Sequence, residues 1–464
     1  MLRLKYQYKA QEGHGEFFTF QAVRPCSPGP LLRDARAKIA SNLGSIFGYA
    51  ALNLAPLGPW IRLGWPSSTG TGECIDLASQ YALETVVAFQ HGHSDLSLAR
   101  ASKIGSTALR SLQSSIELCQ QDEDKQALIL AVMLHFAAEN FAGIATWRYI
   151  PHLQGICFLL KAYFEDQPED RVVQEAVSLI CDHEITAALH FGQPSQLEAF
   201  SNPQYSLDEP PPIDVATLIV NDLLIRIPRT ICALRACLQD QDDIQKMSEA
   251  CTLAKALYHS ANASWVQKTV TATSRPSSPL HNKSTSPSGI TLTFDSIPAL
   301  TLSTRYTLSR LMTCGLLQKL TTHPLSRFFF PGTFAPEVEA AELSAATFIA
   351  ECLDFALRPN PAQVLVAVTM IMPLEACVGT WSRLQRRERA AGRLDSLEFK
   401  HAVEMQDWCI EHLQRLCSRW RAGPIPRRNM EQLYDVLVGG PLVPSTYEFQ
   451  ENGVALSGRR DVES

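Results

Sequence analysis

The sequence lacks the short motifs that carry most recognisable enzyme chemistry. It contains no Gly-x-Gly-x-x-Gly, no Gly-Lys-Ser or Gly-Lys-Thr phosphate loop, no Gly-x-Ser-x-Gly and no His-Glu-x-x-His. The sequence therefore gives no motif support for a nucleotide-binding enzyme, an α/β-hydrolase or a zinc protease.

Long apolar runs and paired cysteines are also missing. The most apolar segments, such as the one that ends at Met372, fall well short of the roughly 20 residues needed to span a bilayer. The N-terminus has no continuous apolar core of the kind that a secretory signal needs. The 13 cysteines stand singly, with no Cys-x-x-Cys. We therefore expect a soluble intracellular protein, outside the membrane, with buried reduced thiols.

The chain also lacks a large net charge of either sign. The chain has 41 lysines and arginines against 47 aspartates and glutamates, which gives a formal charge of −6. A mildly acidic chain has no overall basic field to attract nucleic acid, so direct DNA binding by this chain alone is not expected. With 46% hydrophobic and 19% charged residues, the composition is that of a globular protein.

Apolar residues recur at helical spacing from Glu73 onward, and sustained strand-like alternation is absent apart from short pieces such as Ile290–Phe294. The clearest helical stripe comprises Ile244, Met247, Cys251, Ala254, Tyr258, Ala261 and Trp265. The pattern predicts an all-α fold: one large irregular helical domain over 71–437. An irregular extension precedes it over 1–70, and a loose tail follows over 438–464. A Ser/Pro-rich insertion at 271–289 offers no apolar face, so we expect it to be disordered and flexible.

A basic cluster stands out in the segment WSRLQRRERAAGR. Its members are Arg383, Arg386, Arg387, Arg389 and Arg393. Clustered guanidinium groups bind carboxylates and phosphates, which favours a site for an acidic protein partner or for nuclear import. The alternative is a solvated helix face on which Glu388 and nearby acids offset the charge.

Two other groups of polar residues suggest metal chemistry only weakly. His91, His93 and Asp95 could offer ligands, but they follow a predicted helix end. The acidic segment 240–243 and the pair at 221–222 resemble the magnesium-binding motifs of class I terpene synthases in reversed order. However, Ile225 and Arg229 replace the required hydroxyl and carboxylate. The sequence thus predicts no catalytic residue, no metal site and no cofactor.

Three phrases, taken in order, resemble the helical regulatory domain of fungal zinc-cluster transcription factors. Segment 131–160 has that family's apolar helix, followed by a tryptophan and a His-Leu-x-Gly step before a Leu-Leu pair, at Trp147, His152, Leu153, Gly155, Leu159 and Leu160. Segment 181–198 is similar to the family's short helix that closes in a Gly-x-Pro turn, at Gly192 and Pro194. Segment 364–394 resembles its late helix, followed by a charged stretch and another long helix. The marked positions there are Pro373, Leu374, Glu375, Ala376 and Cys377.

The family's N-terminal cluster of six cysteines is absent, since only Cys26 and Cys74 occur in the first hundred residues. The resemblance therefore implies a nuclear transcriptional regulator or co-regulator that acts through protein contacts and controls a metabolic or secondary-metabolite gene set. Its expected partner is a zinc-cluster DNA-binding protein or a second copy of the chain. The alternatives are a helical enzyme or small-molecule-binding protein of a biosynthetic pathway, and a non-catalytic helical scaffold.

Overall fold

The computed structural model describes most of the chain from residue 72 onward. The described residues are 72–90, 92, 94–118, 122–143, 149–164, 171–201, 212–262, 264–276, 287–332, 334–357, 367–419, 434–442, 447–450 and 453–456. The predicted extension over 1–70 lies outside them, as do His91, His93, Trp147 and the middle of the predicted insertion, 277–286.

The described residues are predominantly helical, so the predicted all-α class is confirmed. The chain divides into two compact units, Met1–Ala176 (unit 1) and Val177–Ser464 (unit 2). The sequence analysis placed a single domain over 71–437 and did not separate these units.

Unit 1 is built around one helix that is apolar on nearly every side. Its helices are α1 (Gly72–Gln90), α2 (Asp95–Leu118), α3 (Asp122–Ala142), α4 (Tyr149–Phe164) and the start of α5 (Arg171–Phe191), within which the division falls. α1 packs against α2 and α3, and α3 also packs against α4. Every residue over 127–141 is buried, which is the pattern expected of a helix enclosed by its neighbours.

Unit 2 is also arranged around a central helix. Its further helices are α6 (Ile213–Gln239), α7 (Ile244–Ala261), α8 (Ser264–Thr273), α9 (Ile297–Thr321), α10 (Phe334–Ala356), α11 (Ile371–Ala390) and α12 (Leu397–Arg419). α9 packs against α6, α7, α10 and α11. The buried hydroxyls of Thr307, Ser309 and Thr313 donate to backbone carbonyls about one turn earlier. This satisfies hydroxyl groups that would otherwise destabilise an enclosed helix.

Local hydrogen bonds fix several helix ends. The Asp243 carboxylate accepts from the backbone amides of Gln245 (2.9 Å) and Lys246 (3.1 Å) and so caps α7. Ser296 caps α9 through the amide of Ala299. After α5, Gly192 adopts a φ of 67°, a left-handed conformation that glycine reaches without a steric penalty.

The ends of the predicted Ser/Pro-rich insertion are more regular than the sequence suggested. α8 continues to Thr273, and β1 (Ser274–Pro276) pairs antiparallel with β2 (Leu292–Phe294). The strand pair is held because Leu292 and Phe294 are buried, and the Phe294 ring lies 5.3 Å from that of Phe355 on α10. Short paired segments of this kind give little sequence signal, because three residues cannot establish an alternating pattern.

A second hairpin lies in the predicted loose tail. β3 (Tyr447–Gln450) pairs antiparallel with β4 (Gly453–Leu456). The sequence there alternates apolar and polar residues over only four positions in β3. The sequence analysis did not identify this hairpin.

Eleven cysteines fall within the described residues, and all are free; ten of them are buried. Burial raises the pKa of the Cys314 thiol to about 12 and that of the Cys417 thiol to about 12, so these groups are held as neutral thiols. They pack as small apolar side chains, as the isolated spacing predicted.

Candidate functional site

Four of the five arginines of the predicted cluster lie on the second half of α11, and Arg393 follows in the turn after its end. The first half of this helix turns an apolar face toward its neighbours α9, α10 and α12. Trp381 is buried there, and Gly379 makes room for the ring of Tyr434, which occupies the place a side chain at position 379 would take. Because the helix is amphipathic, the five arginines do not share one environment.

Arg383 points into the core rather than toward solvent. Its side chain is 13% exposed and forms an ion pair with Glu342 on α10, which is 2% exposed. Its guanidinium group also lies over the Tyr434 ring, 4.7 Å from the ring centre. Position 383 follows the buried Gly379 by four residues, which places both on one face of the helix. Arg383 therefore does not belong to an exposed basic patch, and the predicted cluster is corrected at this position.

Two further groups bind the Glu342 carboxylate. Thr380 donates to it at 3.0 Å, and the side-chain amide of Gln318 donates at 2.5 Å. Burial raises the pKa of Glu342 to about 8, although both hydrogen bonds act in the opposite direction. Burial also lowers the pKa of Arg383 to about 9, and repulsion by Arg386 adds to this effect. The interior thus penalises each charge, and their mutual attraction opposes that penalty.

The other four arginines lie at the exposed end of α11, at positions 386, 387 and 389, and in the turn that follows it, at position 393. Three of these side chains keep 54%, 40% and 58% of their surface accessible, at Arg386, Arg387 and Arg393. Arg389 lies with its guanidinium carbon 5.9 Å from the centre of the Phe399 ring on α12. Their side chains form the surface that we call the arginine face.

Carboxylates partly neutralise this arginine face. Arg393 donates to Glu388 at 2.9 and 2.7 Å, Arg387 pairs with Glu339, and Arg386 lies 3.9 Å from an oxygen of Asp435. Hydrogen bonds from Arg393 lower the pKa of Glu388 to about 2, with a further contribution from Ser396. The sequence-based alternative, in which Glu388 offsets the charge, therefore describes part of this surface.

The acidic motifs considered as magnesium ligands make local structural contacts. Asp243 caps α7, and Asp240 accepts from the Lys246 ammonium at 2.9 Å. On α6, Asn221 accepts from a buried arginine of α9 at 3.0 Å, and Asp222 forms an ion pair with the arginine one turn later. Each motif is accounted for by helix capping or ion pairing.

The sequence analysis missed a buried polar cluster in unit 1. On α3, His135 is fully buried and stacks on His152 of α4, with the ring centres 5.2 Å apart. One turn later, Glu139 accepts a 2.6 Å hydrogen bond from the Tyr81 hydroxyl of α1. Burial lowers the pKa of His135 to about 3 and that of His152 to about 4, so both rings are neutral. The only sequence signal was the presence of His135 and Glu139 within an otherwise apolar helix.

Within the described residues, no three histidine, cysteine, aspartate or glutamate side chains come together as a possible metal site. None of the described helices is both long enough and apolar enough to cross a membrane. Comparisons with protein-family models, with curated proteins and with solved structures found no match.

Proposed function

We propose that this protein is a nuclear transcriptional regulator or co-regulator that acts through protein contacts on a metabolic or secondary-metabolite gene set. The observation that carries the proposal is the ordered resemblance of three segments to the regulatory domain of fungal zinc-cluster transcription factors. The positions of those segments relative to the helices support it.

The first two segments coincide with helix ends of the kind the resemblance implies. Segment 131–160 covers the end of α3 and most of α4, on which Leu153, Leu159 and Leu160 are buried. Segment 181–198 covers the second half of α5, which ends before the left-handed Gly192. The small and apolar residues of both phrases therefore have packing roles consistent with a helical regulatory domain.

The third segment supports the proposed mode of action. α11 ends in a charged stretch, and the 23-residue helix α12 follows it, as the resemblance implies. The arginine face at this turn offers guanidinium groups that suit an acidic protein surface by charge complementarity. In this proposal it is the contact for a partner protein.

The test compares transcript profiles and small-molecule extracts of three strains. One lacks the gene, one is complemented with the wild-type chain, and one is complemented with a variant in which all four residues of the arginine face become glutamine. We expect a compact set of genes to fall silent in the deletion strain, to recover with the wild-type chain and to recover only partly with the variant. A fluorescent fusion is expected in the nucleus.

The matched control removes the same number of charges elsewhere. Four exposed arginines outside α11 become glutamine, at Arg100, Arg110, Arg229 and Arg275. This control should restore transcription fully. Unchanged transcripts with accumulation of one metabolite would instead establish the enzyme alternative. Unchanged transcripts with stable protein partners would favour a scaffold.

A further inference from the structure

A short segment that follows α12 in the chain lies across the helices of unit 2 in the way a bound peptide would. It comprises residues 434–442, and we call it the strap. Its first four residues form one helical turn, which ends before Gly439, where φ is 85°. The apolar side chains at positions 434, 436, 437 and 438 are at most 2% exposed. Contacts along the strap reach α11, α9, α6 and the end of α5 in that order.

Glycines of the helices beneath the strap make room for its side chains. The Tyr434 ring occupies the place that a side chain at Gly379 of α11 would take. A Cβ atom added at Gly315 of α9 would lie 2.8 Å from Cγ1 of Val438. The last residue of the strap packs in the same way at Gly192, where an added Cβ atom would lie 2.6 Å from its Cδ1. The helices thus present a row of notches, each filled by one side chain of the strap.

An arginine of α6 binds the main chain of the strap. Arg235 donates to the carbonyl oxygen of Val436 at 2.8 Å and to that of Gly440 at 2.9 Å. These hydrogen bonds do not depend on which side chains the segment carries. In peptide recognition, main-chain hydrogen bonds contribute affinity, and pockets for particular side chains contribute specificity. The groove under the strap has both features.

Cationic side chains line this groove. Lys319 of α9 and Arg386 of α11 lie 3.5 and 3.9 Å from the Asp435 carboxylate of the strap. The Arg383 guanidinium group lies 4.7 Å from the centre of the Tyr434 ring. Permanent cores bury few charged groups, whereas surfaces that separate and rejoin are more polar. The composition of the groove therefore favours a contact that opens.

We propose that this groove is a binding site for a segment of a partner protein, and that the strap occupies it as an internal competitor. The contacts define the partner's pattern: an aromatic residue, a carboxylate directly after it, and an aliphatic residue four positions after the aromatic one. The aromatic ring fills the notch at Gly379, the carboxylate meets Lys319 and Arg386, and the aliphatic side chain packs at Gly315. The inference depends on these contacts and not on the proposed role in transcription.

The test measures binding of a fluorescein-labelled peptide with the sequence of the strap to the full chain, by fluorescence anisotropy. The wild-type chain should bind it weakly, because its own strap competes at a high effective concentration. Tyr434→Ala removes the aromatic anchor of the strap and should bind the peptide at least about tenfold more tightly, since the affinity rises with the fraction of open grooves. Phe328→Ala, which removes an exposed aromatic ring elsewhere in unit 2, is the matched control and should bind as weakly as the wild type does.

Two further comparisons test whether the peptide enters the groove. Adding Gly379→Val to Tyr434→Ala fills the notch from α11 itself, so this double variant should keep its helical circular dichroism and lose peptide binding. A peptide that carries Asp435→Lys should bind Tyr434→Ala at least about tenfold more weakly, because its lysine would face Lys319 and Arg386. Equal binding by the wild type and Tyr434→Ala, or of the two peptides, would overturn the proposal.

Hydrogen exchange of the wild-type chain tests the strap without any substitution. The amide of Gly440 donates to the Asp435 carbonyl within the strap, so its exchange reports on opening. We expect this amide to exchange by local opening that is insensitive to low concentrations of urea, while the amides of α9 exchange only by global unfolding. Equal protection of the strap and α9 would show that the strap is a permanent part of the core, and would also overturn the proposal.

Discussion

The interior of unit 1 admits only the neutral form of a buried histidine ring. His135 on α3 lies among Tyr81, Glu139 and His152, each on or beside an apolar helix face. Burial lowers its pKa to about 3, and the neighbouring His152 adds to the effect. Neither ring nitrogen of His135 has a hydrogen-bond partner among the described residues. In the unfolded chain the same ring takes up a proton near its ordinary pKa of about 6.5.

The protein should therefore lose stability as the pH falls below about 6.5, because protons bind the unfolded state first. For His135 alone, the free energy of unfolding should fall by about 2 kcal/mol between about pH 7 and about pH 5. Urea unfolding followed by circular dichroism at the two pH values measures this loss. His135→Leu should reduce the loss by about 2 kcal/mol, while other buried histidines such as His152 maintain the remainder. His259→Asn, at an exposed position of α7, should leave the loss unchanged. An unchanged slope in His135→Leu would contradict the assignment.

At the scale of an element, α7 shows how a polar residue outside a helix can decide where the helix begins. Asp243 accepts hydrogen bonds from two otherwise unpaired amides of the first turn, and Lys246 lies 3.5 Å from the same carboxylate. These contacts lower the pKa of Asp243. The carboxylate thus has a structural role that its neighbour Asp242 does not share.

Asp243→Ala should lower the free energy of unfolding by about 1 kcal/mol, the usual effect of removing a side-chain cap. Asp243→Asn should retain most of the stability, since the amide oxygen can accept the same hydrogen bonds. Asp242→Ala changes an exposed charge in the same loop and serves as the control. The assignment predicts that protection of the first-turn amides of α7 from hydrogen exchange falls only in Asp243→Ala, and equal protection in all three variants would refute it.

Across the whole of unit 2, Arg305 of α9 joins elements that are distant in sequence. It donates to Asp182 of α5 at 3.1 and 2.8 Å, to the Asn221 side chain of α6 at 3.0 Å and to the Ser178 carbonyl at 3.1 Å. The arginine side chain is 10% exposed. The ion pair joins α5 to the central helix, and moving α5 away would leave the Arg305 charge buried without its carboxylate.

Asp182→Ala should therefore cost about 3 kcal/mol, since it leaves Arg305 buried without its carboxylate. Replacing both residues together, as Asp182→Leu with Arg305→Met, should cost less than the sum of the single changes. A double-mutant cycle by urea unfolding measures the difference. The exposed pair Arg415 and Glu411 on α12 provides the comparison, with an expected coupling of about 0.5 kcal/mol. Equal coupling energies at the two sites would show that burial does not strengthen the interaction between Arg305 and Asp182.

Local sequence determined much of the helical organisation. The stripe from Ile244 to Trp265 predicted a helix that the structure contains as α7, because helical periodicity is a local property of the sequence. The turn at Gly192 was implied by the family resemblance, and the left-handed φ of 67° at this glycine is consistent with it. Boundaries were less accurate, since helix ends depend on weak signals. The predicted stripe runs on to Trp265, whereas α7 ends at Ala261 and α8 begins at Ser264.

The environment of each charged or polar side chain was decided only by tertiary structure. Arg383 and Arg386 stand three residues apart in one basic segment, yet one pairs inside the core with Glu342 and the other lies largely in solvent. The partner of Arg305 is 123 residues away, and the stacking of His135 on His152 joins two different helices. The sequence by itself determined where the helices form, because their hydrogen bonds and apolar periodicity are local. Packing decided which arginines are buried and which remain exposed to solvent, because burial and charge pairing arise only when distant helices meet.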